Sequence, residues 1–188
     1  METNDIRNYN LINTRPVKYV EKITALKTEE DKDACLRLLT LNNNSHTLCH
    51  AYYTAEHINS CIEYSDYLLH FTSQDRSIVA FALVQSKSKR KGKILDIHLA
   101  CAIPNTNKFG KMIAHSIYTF AVKHKYPFLY VSPRTPELRA TFVKYGFEPI
   151  HGIEGIDELL EKEIDMNIPR FNTRGKTQKR NRTPSHSS

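Results

Sequence analysis

The sequence predicts an α/β protein built on one mixed sheet, with the element order β-α-α-β-β-β-α-β-α-β-β. Three observations carry this. First, the apolar runs DYLLHFTS, RSIVAFALVQS and ILDIHLACAI follow one another across short polar breaks, as an antiparallel meander does. Second, Ile113, Ile117, Phe120 and Ala121 form a helical stripe between the last of those runs and the short run PFLYVSP. A helix placed so joins two parallel strands. Third, cap and stop residues sit where the periodicity changes.

In chain order, VKYVEKITAL (17–26) reads as a strand. Thr28 is an N-cap, and Glu29, Glu30 and Asp31 suit the positive end of the helix dipole. Ala34, Cys35, Leu38 and Leu39 give that helix its stripe, and LNNNSHT ends it. Thr54 caps a second helix, in which Ile58, Cys61 and Ile62 share a face. The meander follows, with Gln74–Asp75 as one turn and the charged SKSKRKGK (86–93) as the next. The helix of about 107–125 leads to PFLYVSP. Pro136 suits the first turn of the next helix, which carries Leu138, Phe142 and Val143 and stops at Gly146. FEPI is a strand. In EKEIDMNI, Ile164, Met166 and Ile168 alternate with polar residues, which reads as an edge strand.

A length of 188 residues fits one domain with a real core. Hydrophobic residues make up 40% and charged ones 25%, as in an ordinary globular protein. No apolar run approaches the roughly 20 residues of a membrane span. The polar start METNDIRNYNLINTRP has no apolar centre of the kind a signal peptide needs. The expected location is cytoplasmic or nuclear. Cys35, Cys49, Cys61 and Cys101 form no CxxC pair and read as reduced packing residues.

The net charge of +7 is uneven. From Pro169 to Ser188 there are six Arg or Lys and no acid, so the body is nearly neutral. With Phe171 as its one large apolar residue, the tail has too little apolar surface to fold alone. The domain plan is thus a polar segment 1–16, a folded unit 17–168 and a basic tail 169–188. The tail is either a solvated end or an arm for nucleic acid or another polyanion. SKSKRKGK, with five basic residues in eight, is either a solvated turn or part of the same surface.

The stretch IPNTNKFGKMIAHSIYTF (103–120) passes from buried strand to helix through Asn105, Asn107, Lys108, Gly110 and Lys111. The first N–H groups of a helix lack partners within it and, with the dipole, bind anions. This turn is either such a site or a plain connection.

From ILDIHLACAI through NTNKFGKMIAHSIYTFAV and FLYVSP to ELRATFVKYGFEPI, the chain resembles the GCN5-related N-acetyltransferase (GNAT) superfamily. The resemblance covers about residues 17–168, and its most specific piece is 94–150. The ending KYGFEPI matches the Gly-Phe close of that family's helix, and EKEIDM its last strand. The resemblance implies the acyl-CoA N-acyltransferase fold and transfer of acetyl from acetyl-CoA to a primary amine. The acceptor is a small molecule, polyamine or protein amine that the sequence does not specify.

The family's pyrophosphate loop runs Gln or Arg, two residues, Gly, one residue, then Gly or Ala. The nearest fit here is Asn107-Lys108-Phe109-Gly110-Lys111-Met112, in which Gly110 alone matches. The implied cofactor contacts are pantetheine on the backbone near Ala102 and Ile103, and pyrophosphate on the N–H groups of about 108–112. A general base is implied on the 94–103 strand. Asp96 and His98 lie two apart there and share a face. His98 starts from a pKa near about 6.5, whereas Asp96 needs desolvation to act. The family's general acid, a Tyr four residues before the Gly, is Phe142 here, and Tyr145 is expected to face elsewhere. A second reading follows from these departures: a catalytically impaired GNAT-like module that binds nucleic acid or protein through the tail.

His46, Cys49, His50 and His57 in HTLCHAYYTAEH are metal-ligand types, but no second motif completes a site. In the implied fold this segment borders the acceptor site, and Tyr52, Tyr53 and His57 either line it or serve as plain packing.

Overall fold

A computed structural model describes residues 18–40, 53–89, 92–103, 107–150 and 159–166. The N-terminal segment 1–16 and the basic tail 169–188 lie outside these residues, as do His46, Cys49, His50, Tyr52, Asn105 and Ile168.

The described elements are β1 (Val20–Ala25), α1 (Glu29–Thr40), α2 (Ala55–Glu63), β2 (Tyr67–Thr72), β3 (Ile78–Lys89), β4 (Gly92–Ala102), α3 (Asn107–Lys123), β5 (Phe128–Val131), α4 (Pro136–Lys144), β6 (Glu148–Pro149) and β7 (Leu160–Glu163). This is the predicted order. The strands form one mixed sheet, β1-β2-β3-β4-β5-β7-β6. It is antiparallel from β1 to β4 and parallel where α3 crosses from β4 to β5.

The caps explain why the helices start where they do. Thr28 and Asp31 exchange bonds, the Asp31 N–H donating to Thr28 Oγ1 (3.2 Å) and the Thr28 N–H to Asp31 Oδ2 (3.0 Å). Thr54 accepts from the His57 N–H and Thr135 from the Leu138 N–H, each at 3.2 Å. Gly146 ends α4 at φ 84°, a conformation that favours glycine. Its N–H donates to Val143 O (2.9 Å), and the Phe147 N–H donates to Phe142 O (3.2 Å). The rings of Phe142 and Phe147 meet edge to face at 5.3 Å. Together these form a Schellman close with its hydrophobic contact, which gives the Gly-Phe ending a structural cause.

Helices cover both faces. On one, Cys35 and Leu39 of α1 and Ile58, Cys61 and Ile62 of α2 pack on Leu68, Phe81, Leu83 and Leu99. On the other, Phe109, Ile113, Ile117, Phe120 and Ala121 of α3 pack on Leu69, Val84, Leu95, Ile97 and Leu129. Tertiary context changes four expectations. β7 is not an edge strand, because it lies between β5 and β6 and pairs with both. Most of SKSKRKGK is strand rather than turn, since β3 runs on to Lys89 and β4 starts at Gly92. There Lys87 pairs with Asp96, and Lys89 Nζ lies 4.8 Å over the Tyr130 ring. Val143 is 43% exposed and does not join the inward face of α4. Cys35 and Cys61 are free thiols, but Cys101 is disulfide-bonded.

Candidate active site

The site begins with a mismatch in strand length. β4 pairs with β5 from Ile94–Phe128 to Ile97–Val131. β5 then ends, while β4 continues to Ala102. The strands part beyond Ile97, leaving a cleft of about 550 Å³. Ala100 and Ala102 of β4 wall one side, Gly110 and Tyr118 of α3 another, and Leu138, Phe142 and Tyr145 of α4 a third.

A bulge decides which residues of β4 meet this cleft. Leu83 pairs with Leu99 and Val84 with Ile97, so His98 is the extra residue. Before it, Leu95 and Ile97 face the α3 core. After it, Leu99 and Cys101 face the α1–α2 core, and the small Ala100 and Ala102 turn to the α3 side. Unbroken alternation would have put Leu99 and Cys101 into the cleft. Ile103 donates its N–H to Val79 O across the sheet (3.0 Å), so that donor faces away from the cleft.

The segment read as a phosphate loop is the first part of α3. The helix starts at Asn107, so the amides of 107–109 have no acceptor within it. The side chains there divide by role. Phe109 is buried and meets Tyr19 edge to face at 5.2 Å. Lys108 Nζ lies 4.5 Å over the Tyr19 ring. Met112 packs on the α3 core, and Lys111 lines the cleft. A Cβ built on Gly110 meets nothing within 4 Å, so the glycine borders open space.

Asp96 and His98 share the other face of β4, as expected. Asp96 pairs with Lys87, and His98 Nε2 is 3.0 Å from Gln85 Oε1. Burial lowers the His98 pKa; Asp96 and Asp66 oppose this and Lys87 adds to it. The ring is therefore neutral at neutral pH and able to accept a proton. Beside it, His57 stacks on Tyr53 at 5.0 Å and places Nε2 3.4 Å from Cys61 Sγ. Cys61 Sγ is 3.8 Å from the His98 carbonyl. Burial, then Arg134 and His98, lower the His57 pKa. Burial pushes the Cys61 thiol up to about 11, so it is no thiolate nucleophile. Among the described residues no group of three or more His, Cys, Asp or Glu forms a metal site.

Three cleft residues were not found from the sequence. Tyr145 faces the cleft rather than away from it. Leu138, Phe142 and Tyr145 are spaced four and three apart, a helical stripe that carried the signal. Tyr118 lies in the same cleft, on α3. Lys162 sits on β7, and its ammonium donates to the Tyr145 carbonyl at 2.5 Å. With β7 read as an edge strand, nothing marked Lys162 as facing inward.

No family model and no curated protein matches the sequence. Solved structures do match. The catalytic domain of Tetrahymena GCN5 histone acetyltransferase, in complex with coenzyme A, aligns with a TM-score of 0.58 at 13% identity, over 80% of this chain and 95% of that one. A putative GNAT-family acetyltransferase from Desulfovibrio desulfuricans gives 0.57 at 10% identity, over 78% and 99%. The GCN5-related glucosamine N-acetyltransferase region of a fungal multi-domain GH3 β-N-acetylglucosaminidase gives 0.52 at 11% identity, over 74% of this chain and 18% of that protein. At such identities the likeness is one of architecture, and this chain has the GNAT fold.

Proposed function

We propose that the chain is an N-acetyltransferase that moves an acetyl group from acetyl-CoA to a primary amine, with residues 17–168 as the working unit. One observation carries this: the cleft opens where β4 and β5 part, and its far end meets the N-terminus of α3 at a glycine with open space beside it. A phosphate suits that helix end, since its unpaired amides are fixed before the charge arrives. Lys111 adds positive charge on the cleft side. Ala100 and Ala102 keep the β4 wall low enough for a chain to lie along it.

The apex beside Ile97 and Val131 is where the thioester belongs in this reading. In this reading a group at the apex is approached from both faces, because β4 and β5 are no longer paired there. The acceptor amine enters from the face of His98, His57 and Tyr53. Neutral His98 takes a proton from the ammonium, directly or through a water. The amine then attacks the acyl carbon, and the C–S bond breaks. Holding the two reactants together supplies much of the rate, up to about 7–11 kcal/mol in favourable cases. Asp96, already held by Lys87, supports the charge that forms on His98.

The test is thermal unfolding of the full chain with and without acetyl-CoA. At 100 times its dissociation constant the ligand stabilises by about 2.7 kcal/mol. Gly110→Val should remove that shift. The fold should stay intact, because the first added carbon borders open space outside its own helix turn. No shift with acetyl-CoA, CoA or longer acyl-CoAs at millimolar concentration would falsify the proposal.

A further inference from the structure

Breaking a thioester leaves a thiolate, and something in the cleft must accommodate its charge. Phe142 has no proton and is committed to the Schellman contact with Phe147. The groups that ionise and face the cleft are Lys111, His115 and Tyr118 of α3, Tyr145 of α4 and Lys162 of β7. Lys111 and His115 lie in the N-terminal half of α3, on the phosphate side. Tyr118 and Tyr145 offer hydroxyl donors but no positive charge. Lys162 differs from all of these. Its strand partner is Leu129, two residues before β5 ends at Val131, and its side chain lines the cleft from that side. Its Nζ lies 6.0 Å over the Phe147 ring. That ring in turn touches Phe142, so the ammonium is one ring away from the residue that lacks a proton. The polar contact that holds it is a neutral carbonyl, that of Tyr145 at the negative end of α4. Among the described residues no carboxylate pairs with it. Its ammonium borders the cleft.

We propose that Lys162 is the residue that receives the departing thiolate; this rests on the reading of the cleft as an acyl-CoA site. The amine nitrogen bonds to the acyl carbon. The C–S bond breaks, and its electron pair goes to sulfur. Sulfur takes a proton from the Lys162 ammonium, giving free CoA thiol. The neutral lysine then regains a proton from solvent. The proton lost by the acceptor ammonium leaves separately, through His98 on the other face.

The test needs no acceptor. Coenzyme A itself is bound to the full chain, and its thiol is titrated by thiolate absorbance in the ultraviolet. A nearby ammonium lowers a thiol pKa. The wild-type complex should show a thiol at least about tenfold more acidic than free CoA. Lys162→Gln keeps a donor for the Tyr145 carbonyl and removes the charge, so its bound thiol should return to the free value. Lys162→Arg should keep the acidic thiol. Equal thiol acidity in wild type and Lys162→Gln, with CoA bound to both, overturns the role of Lys162 and leaves the transferase reading standing. Failure of the wild type to bind CoA sinks both. If Lys162→Gln does not fold, the comparison of wild-type complex with free CoA decides alone: an unshifted thiol overturns the proposal.

Discussion

The two faces of β4 are made by one strand of eleven residues, yet they do opposite things. Toward α3 and α4 the strand ends in Ala100 and Ala102, which line open space. Toward α1 and α2 it shows Asp96 and His98, each already held by a neighbour on β3, and then Leu99 in a closed core. The cleft face is unfinished and the other face is finished. The difference turns on one inserted residue. In the proposed reading, small residues and an early strand end make room for a long, flexible ligand, while the polar side chains stay anchored on the reverse side.

The largest way to sharpen this contrast is to delete His98. Without the extra residue, Ile97 and Leu99 follow one another in plain alternation, so Leu99 and Cys101 keep the core face and Ala100 and Ala102 the cleft. Turnover should fall at least about a hundredfold, since the proposed base is gone, while acetyl-CoA still binds. Calorimetry and steady-state rates measure the two, and a deletion variant that no longer binds acetyl-CoA would contradict this placement of the faces. Next in size, Leu99→Ala should cost about 2–5 kcal/mol of stability and leave acetyl-CoA affinity unchanged. Ala102→Leu should do the reverse. It fills the cleft, so affinity should fall at least tenfold, about 1.4 kcal/mol, with stability nearly unmoved. Calorimetry and unfolding on the same two variants check the crossing pattern.

Smaller again is Phe142→Tyr. The ring borders the cleft, so the new hydroxyl reaches open space, and stability should change by less than about 1 kcal/mol. A loss of about 1–3 kcal/mol in the unfolding midpoint would mean a dry, unpaired hydroxyl. The smallest effect is on pH dependence. His57, His70 and His98 all have lowered pKa values, mainly through burial. His70 is buried on the face of Leu68, and its Nδ1 has no hydrogen-bond partner among the described residues. Because the unfolded chain binds these protons more tightly, stability is full above about pH 6.5 and is lost as pH falls below it. His70→Phe should flatten that fall between pH 7 and pH 5. An unchanged slope in the variant would contradict the burial account.

Local signals were legible. The stripe Ile113, Ile117, Phe120, Ala121 and the caps at Thr28 and Thr54 are where periodicity and cap chemistry put them. What was not legible is long-range. ILDIHLACAI alternates without a break in sequence, so the bulge at His98 leaves no mark on it. β7 looked like an edge because nothing local reveals that β6 lies outside it. Lys162 was hidden for the same reason. SKSKRKGK looked like a turn because the partners of Lys87 and Lys89, Asp96 and Tyr130, lie in the next strands. Of the proposed site, Asp96, His98 and Gly110 were named in the sequence, whereas Tyr118, Tyr145 and Lys162 needed the sheet order and the helix face.

The most direct measurement is calorimetric titration of acetyl-CoA into the wild type, Gly110→Val and His98→Gln. The account predicts one site per chain in the wild type, lost in Gly110→Val and kept in His98→Gln, because the ligand lies on one face of β4 and the base on the other. Equal binding by wild type and Gly110→Val, or loss of binding in His98→Gln alone, would contradict it.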